Sequence, residues 1–162
     1  MKSTGEVMGV DGSFETAYYK AQLAANSPLP TEGTIFVSVE DDEIVNIVPE
    51  IEKLQGLQFR IVTDARVNRM LEEYGLHTDL ISKNNNDDLH LIPKLMSSDV
   101  DLIINTIKDQ NTGSDNTIIR LVAIDFNTPY ITTVSGFKAA VRSMVKTNRQ
   151  VLGIKSLQEL AL

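Results

Sequence analysis

Gly33-Thr34-Ile35-Phe36-Val37-Ser38-Val39, followed by Ile44, Ile47, Val48, Ile51 and Leu54, decides the fold class. The first run is short, rich in β-branched residues and almost continuously apolar, as a strand covered on both faces must be. The second set recurs at i, i+3, i+4, i+7 and i+10, which lays one apolar stripe along a helix. The same alternation continues downstream. Gln58 to Thr63 reads as a strand, and Val67, Met70, Leu71 and Tyr74 as the next helical stripe. Gly75 stands where a left-handed C-cap would end that helix.

Thr78 to Ser82 reads as a short strand and Leu91 to Met96 as a short helix, with Pro93 tolerable in its first turn. Asp101 to Asn105 is another buried strand, and the polar stretch Lys108 to Asn116 a loop. Ile118, Leu121, Val122 and Asp125 begin a helix, Pro129 to Thr132 supplies a last strand, and Phe137, Ala140, Val141, Met144 and Val145 a last long helix. Strands alternating with helices at this spacing mean βαβ units and a parallel sheet. The expectation is one α/β domain: a three-layer, Rossmann-like parallel sheet of about five strands. A helix built on Phe14, Tyr18 and Ala21 precedes the sheet. Residues 1–12 read as a segment ahead of the domain, 13–150 as the domain, and 151–162 as a tail packing back through Leu157 and Leu160.

Composition supports a folded domain and removes several classes of function. The 162 residues are 42% hydrophobic and 23% charged, the balance of an ordinary globular protein. No apolar run approaches the ~20 residues of a membrane span, and no charged-then-apolar leader opens the sequence. A cytoplasmic location is therefore expected. Without Cys there is no disulfide frame, thiolate metal site or cysteine nucleophile. The net charge of −7 argues against non-specific nucleic-acid binding, which needs surplus Lys and Arg.

Ligands of such sheets bind beyond the carboxyl ends of the strands, where helix N-termini attract phosphate. Here those ends carry carboxylates: Glu40-Asp41-Asp42-Glu43 after the first strand, Asp64 after the second, and Asp87-Asp88 past Lys83 after the third. Ser, Thr, Asp and Asn at such places serve first as N-caps. A fixed carboxylate ~4 Å from a phosphate charge costs about 1 kcal/mol in water and more when partly buried. Arg66, Lys83, Lys108 and Arg120 could offset part of that. His77 and His90 lack any ligand partner at helical spacing, and no GxGxxG, P-loop or nucleophile elbow occurs. Asp101, at the start of a strand, reads as structural. No self-sufficient active site is expected, and no cofactor or metal for this domain.

The opening Met1-Lys2-Ser3-Thr4-Gly5-Glu6-Val7-Met8-Gly9 resembles the segment joining the second ATP-using half of the carbamoyl phosphate synthase large subunit to its C-terminal regulatory domain. Tyr18-Tyr19-Lys20-Ala21-Gln22-Leu23-Ala24-Ala25, Gly33 to Val39, Asp101 to Thr106 and Pro129-Tyr130-Ile131-Thr132-Thr133 resemble further blocks of that family, in order. The resemblance runs from residue 1 to about residue 160 and implies a methylglyoxal-synthase-like fold. It also implies a regulatory domain, non-catalytic alone, within an enzyme that makes carbamoyl phosphate from bicarbonate, glutamine-derived ammonia and ATP for arginine and pyrimidine synthesis. ATP, magnesium and potassium would act elsewhere in that enzyme, and the rest of the large subunit and the glutaminase small subunit would be partners, with homo-oligomers among the expectations.

Carried over by position, Ser38, Thr63, Lys83, Asn105 and Thr106 resemble phosphate-contacting residues for nucleotide effectors such as UMP or IMP. Tyr130 and Thr132 fall where the family contacts ornithine, with Ile131 in place of an acidic residue found in some members. The family's glycine-containing T-x-G-T-A turn is here Thr63-Asp64-Ala65-Arg66-Val67, and its basic, glycine-containing stretch is Lys83 to Leu91 with three Asn and two Asp. These departures imply a degenerate effector site. Methylglyoxal synthase itself, an enzyme of the same fold, is disfavoured because its acidic catalytic motifs and phosphate turn are missing. A purely structural module is the other alternative.

Overall fold

The computed structural model describes residues 6–81, 100–107, 115–148, 153 and 157–160. The elements, in order, are α1 (Phe14–Ala24), β1 (Thr34–Ser38), a 3-10 turn (Asp41–Glu43), α2 (Ile44–Gly56), β2 (Arg60–Thr63), α3 (Ala65–Glu72), β3 (Asp79–Leu80), β4 (Val100–Asn105), α4 (Asp115–Asp125), β5 (Tyr130–Ile131), α5 (Val134–Thr147) and α6 (Leu157–Leu160). The five strands form one sheet in the order β3-β2-β1-β4-β5, and every pairing is parallel. The α/β class, the parallel sheet and its strand number are as the periodicity predicts.

Strand alternation distributes the core between two faces. Ile35, Val37 and Val39 of the first strand segment join Ile61, Leu102, Ile104 and Ile131 on one face. There they meet Tyr19 of α1, the stripe Ile44, Ile47, Ile51 and Leu54 of α2, Val67 and Leu71 of α3, and Phe137, Ala140, Val141 and Met144 of α5. Phe36, Val62 and Ile103 point the other way and pack with Ile81 and with Ile119 and Ala123 of α4. The sheet is therefore sandwiched, which is why β1 and β4 read as unbroken apolar runs.

Several local expectations shift. β2 begins at Arg60 rather than Gln58, because Gln58 sits in a turn at φ +67 after α2. Tyr74 lies beyond the end of α3 and is half exposed, while Gly75 takes the left-handed conformation expected of it. On α1 the buried residues are Thr16 and Tyr19, and Phe14 is exposed. Among the described side chains of α4, Ile119 and Ala123 are buried and Leu121 is exposed. Single aromatic or leucine side chains can remain at the surface at modest cost, so their spacing fixes the buried arc only loosely. The expected helix at 91–96 lies outside the described residues, as do most of the expected loop at 108–116 and the tail's packing.

The segment before α1 lies along that helix. A side chain on Gly9 would place its first carbon 1.9 Å from the Ala17 carbonyl oxygen, so only glycine fits. Lys20 pairs with Asp11 at 2.7 Å across the same contact, and this hydrogen bond holds the Asp11 carboxyl below its ordinary value.

Candidate functional site: the carboxyl ends of the strands

Strand order reverses between β1 and β4: the chain runs outward from β1 through β2 to β3, then returns to β4 on the other side. Such a switch point opens a crevice at the carboxyl ends of the two central strands. Ser38 ends β1 and Asn105 ends β4, and the Thr106 amide donates to the Ser38 carbonyl at 3.1 Å. All three side chains are buried. Three of the residues singled out from sequence are thus brought together at the place where a ligand would sit.

The donors there already have partners within the chain. Asp64 is the N-cap of α3, and its Oδ1 accepts the backbone N–H groups of Arg66 at 2.9 Å and Val67 at 2.8 Å. Its Oδ2 accepts the Ser38 hydroxyl at 2.8 Å. One carboxylate therefore receives the helix N–H groups and the strand-end hydroxyl that a bound oxyanion would otherwise receive. Arg66 donates through Nη1 to Asp41 and through Nη2 to the Val39 carbonyl at 2.7 Å. Thr106 Oγ1 donates to Glu43. Sequence reading anticipated carboxylates and a guanidinium here. It missed that Asp41, Glu43 and Asp64 engage three separate donor groups, because these contacts join residues 25 to 63 positions apart.

The other expected site residues divide. Thr63 is fully buried, but its hydroxyl faces Thr78 at 3.0 Å in a network with Asn68, on the β3 side of the sheet. Its polar group serves the β2–β3 junction. Lys83 lies outside the described residues, as do Lys108, Asp87 and Asp88. Tyr130 is partly buried on β5, and Thr132 just beyond it is exposed. Burial pushes the Tyr130 phenol above its ordinary value, while a hydrogen bond with Asn105 and the charge of Arg120 pull in the opposite direction. Tyr130 is thereby tied to the end of β4 and hence to the crevice.

Asp101 lies at the opposite end of the sheet, beside a cleft of about 710 Å3 that also involves Glu32, Gly33, Gln58, Arg60 and Asn148. Its Oδ2 accepts the Thr34 N–H at 2.7 Å and comes within 2.0 Å of where a Gly33 side chain would begin. The structural reading of Asp101 holds. Among the described residues, no group of three or more His, Asp or Glu could hold a metal ion, and no helix is long and apolar enough to cross a membrane.

No protein-family model matches the chain. Similarity to individual proteins is extensive. The chain is 42% identical over 161 residues to the carbamoyl phosphate synthase large chain, C-terminal section, of Methanocaldococcus jannaschii, covering 99% of this chain and 26% of that protein. It is 38% identical to the carbamoyl phosphate synthase large chain of Archaeoglobus fulgidus and 35% to that of Nostoc sp., covering 98% of this chain each time and 15% and 14% of the relatives. The chain thus spans about a quarter or less of these three relatives. Similarity at this level along nearly every residue, on the parallel fold already described, places the chain in the carbamoyl phosphate synthase large chain family, where it corresponds to the C-terminal part of the large chain.

Proposed function

We propose that this chain is the regulatory-type domain of a carbamoyl phosphate synthase large chain, without catalysis of its own, and that its crevice does not take nucleotides. In this reading the whole enzyme joins bicarbonate, glutamine-derived ammonia and ATP, in the cytoplasm, for arginine or pyrimidine synthesis. ATP, magnesium and potassium then act in the rest of the large chain, which packs with this domain and with a glutaminase small subunit. The relatives' names support the enzyme assignment.

The observation that carries the effector reading is Asp64. Its carboxylate accepts both α3 N–H groups and the Ser38 hydroxyl, so an incoming phosphate would meet a negative charge instead of free donors. Repulsion between such charges grows as water is excluded. Calorimetric titration of the folded chain with UMP and with IMP should give no micromolar binding; micromolar affinity for either overturns the reading. Ornithine belongs in the same series, because Tyr130 and Thr132 remain at the strand end where the resemblance places that ligand. A packing module with no ligand is the second reading, favoured by exposed Leu121, Ile124 and Phe126. Sedimentation with and without ornithine separates the two: mass that rises with concentration and ignores ligand favours packing.

A further inference from the structure

The segment before α1 carries the one Asp-Gly pair in the sequence, Asp11-Gly12, and there is no Asn-Gly. In the folded chain both residues are exposed. The Gly12 N–H donates to Asp11 Oδ1 at 2.7 Å, so the side-chain carboxyl carbon stands beside the backbone nitrogen of the next residue. A β-carbon built on Gly12 would meet no atom within 4 Å. The glycine side of the bond is therefore open, and a nitrogen with no side chain next to it closes on a neighbouring carbonyl most readily. One contact opposes that closure. Lys20 Nζ of α1 holds the other carboxyl oxygen, Asp11 Oδ2, at 2.7 Å. Among the described residues it is the charged side chain that acts on this carboxyl, and it keeps the group as the carboxylate, the form least open to attack.

We propose that Asp11-Gly12 is a site of spontaneous backbone isomerisation, restrained by Lys20, and that its conversion frees residues 6–12 from α1. The Gly12 nitrogen bonds to Cγ of the protonated Asp11 carboxyl. The N–H proton and the carboxyl OH leave together as water, which gives a cyclic succinimide. Water then reopens the ring. Cleavage between the nitrogen and Cγ restores Asp11, whereas cleavage between the nitrogen and the Asp11 main-chain carbonyl carbon leaves isoaspartate. Nothing is oxidised or reduced, and water is the only reagent. Isoaspartate routes the backbone through Cβ and Cγ, one carbon longer, and leaves the carboxylate directly on Cα. The pair with Lys20 is then lost, and the close fit of Gly9 on Ala17, two residues upstream, loses its register. The reaction involves none of the crevice residues, whatever they bind.

The test ages the folded full chain for weeks in neutral buffer at physiological temperature, and maps isoaspartate by enzymatic methylation and peptide mass spectrometry. The wild type is compared with Gly12→Ala, Lys20→Met and Lys20→Arg. Isoaspartate should accumulate at residue 11 ahead of every other Asp and fall to their level in Gly12→Ala. It should form severalfold faster in Lys20→Met, which keeps the stem without the charge, and at the wild-type rate in Lys20→Arg. Amide hydrogen exchange at residues 7–12 should be faster in the isomerised fraction than in fresh protein, as for a segment released to local opening. No excess at residue 11 in the wild type, or an excess that survives Gly12→Ala, overturns the site. Equal rates in wild type and Lys20→Met overturn the restraint, and unchanged exchange in the isomerised fraction overturns the release. Should Lys20→Met fail to fold, Lys20→Gln takes its place with the same expected and overturning results.

Discussion

Asp64 combines two roles that are usually separate. As an N-cap it satisfies two of the orphan N–H groups of α3, and as a crevice residue it holds the hydroxyl of Ser38, which is 4% exposed. Asp64→Ala removes both, and the expected cost is about 2 kcal/mol, a cap loss plus an unsatisfied buried hydroxyl. Urea unfolding of the two proteins measures it. Tyr130 offers a second check at this scale. Its phenol is pushed up, so the folded state retains the proton at a pH where the unfolded chain releases it. That contribution to stability is complete below the ordinary phenol value of 10.0 and is lost as pH rises through the higher folded value. Difference ultraviolet titration of wild type against Tyr130→Phe should show this phenol ionising above 10.0. The cap was legible, because Asp before a helical stripe is a local signal. The Ser38 contact was not, because only the sheet brings residues 38 and 64 together.

Among the elements, α2 and α5 show their buried stripes plainly, since each presents several large aliphatic or aromatic residues at helical spacing to a wide sheet face. α4 is ambiguous because its apolar residues run almost all the way round. The structure buries Ile119 and Ala123, and leaves Leu121 and Ile124 at 53% and 65% exposure. Ile119→Ala should accordingly cost about 2–4 kcal/mol, whereas Leu121→Ala should change stability by less than about 0.5 kcal/mol. Chemical denaturation of the pair decides which arc faces the sheet, and equal costs would contradict the packing. The same ambiguity explains Phe14 on α1: an apolar residue in helical register does not say whether a neighbour covers it.

For the molecule as a whole, the parallel sheet divides the core into two layers, and Phe36 is the large residue that fills the α4 side at 0% exposure. Phe36→Ala should cost about 3–5 kcal/mol and lower the thermal midpoint by several degrees in calorimetry. The class, the parallel pairing and the place of the strands' carboxyl ends were all readable from periodicity, because strand and helix periods are properties of neighbouring residues. The likeness of successive blocks to one family was readable too. Strand order, the choice of which donors meet which carboxylates, and the separation of Thr63 from Ser38 and Thr106 depended on the folded chain. These are contacts between distant segments, set by how the layers close over the sheet, and no local pattern encodes them. The negative character of the strand ends could therefore be deduced from composition and spacing, while its distribution as three internal pairings emerged only once the strands stood side by side.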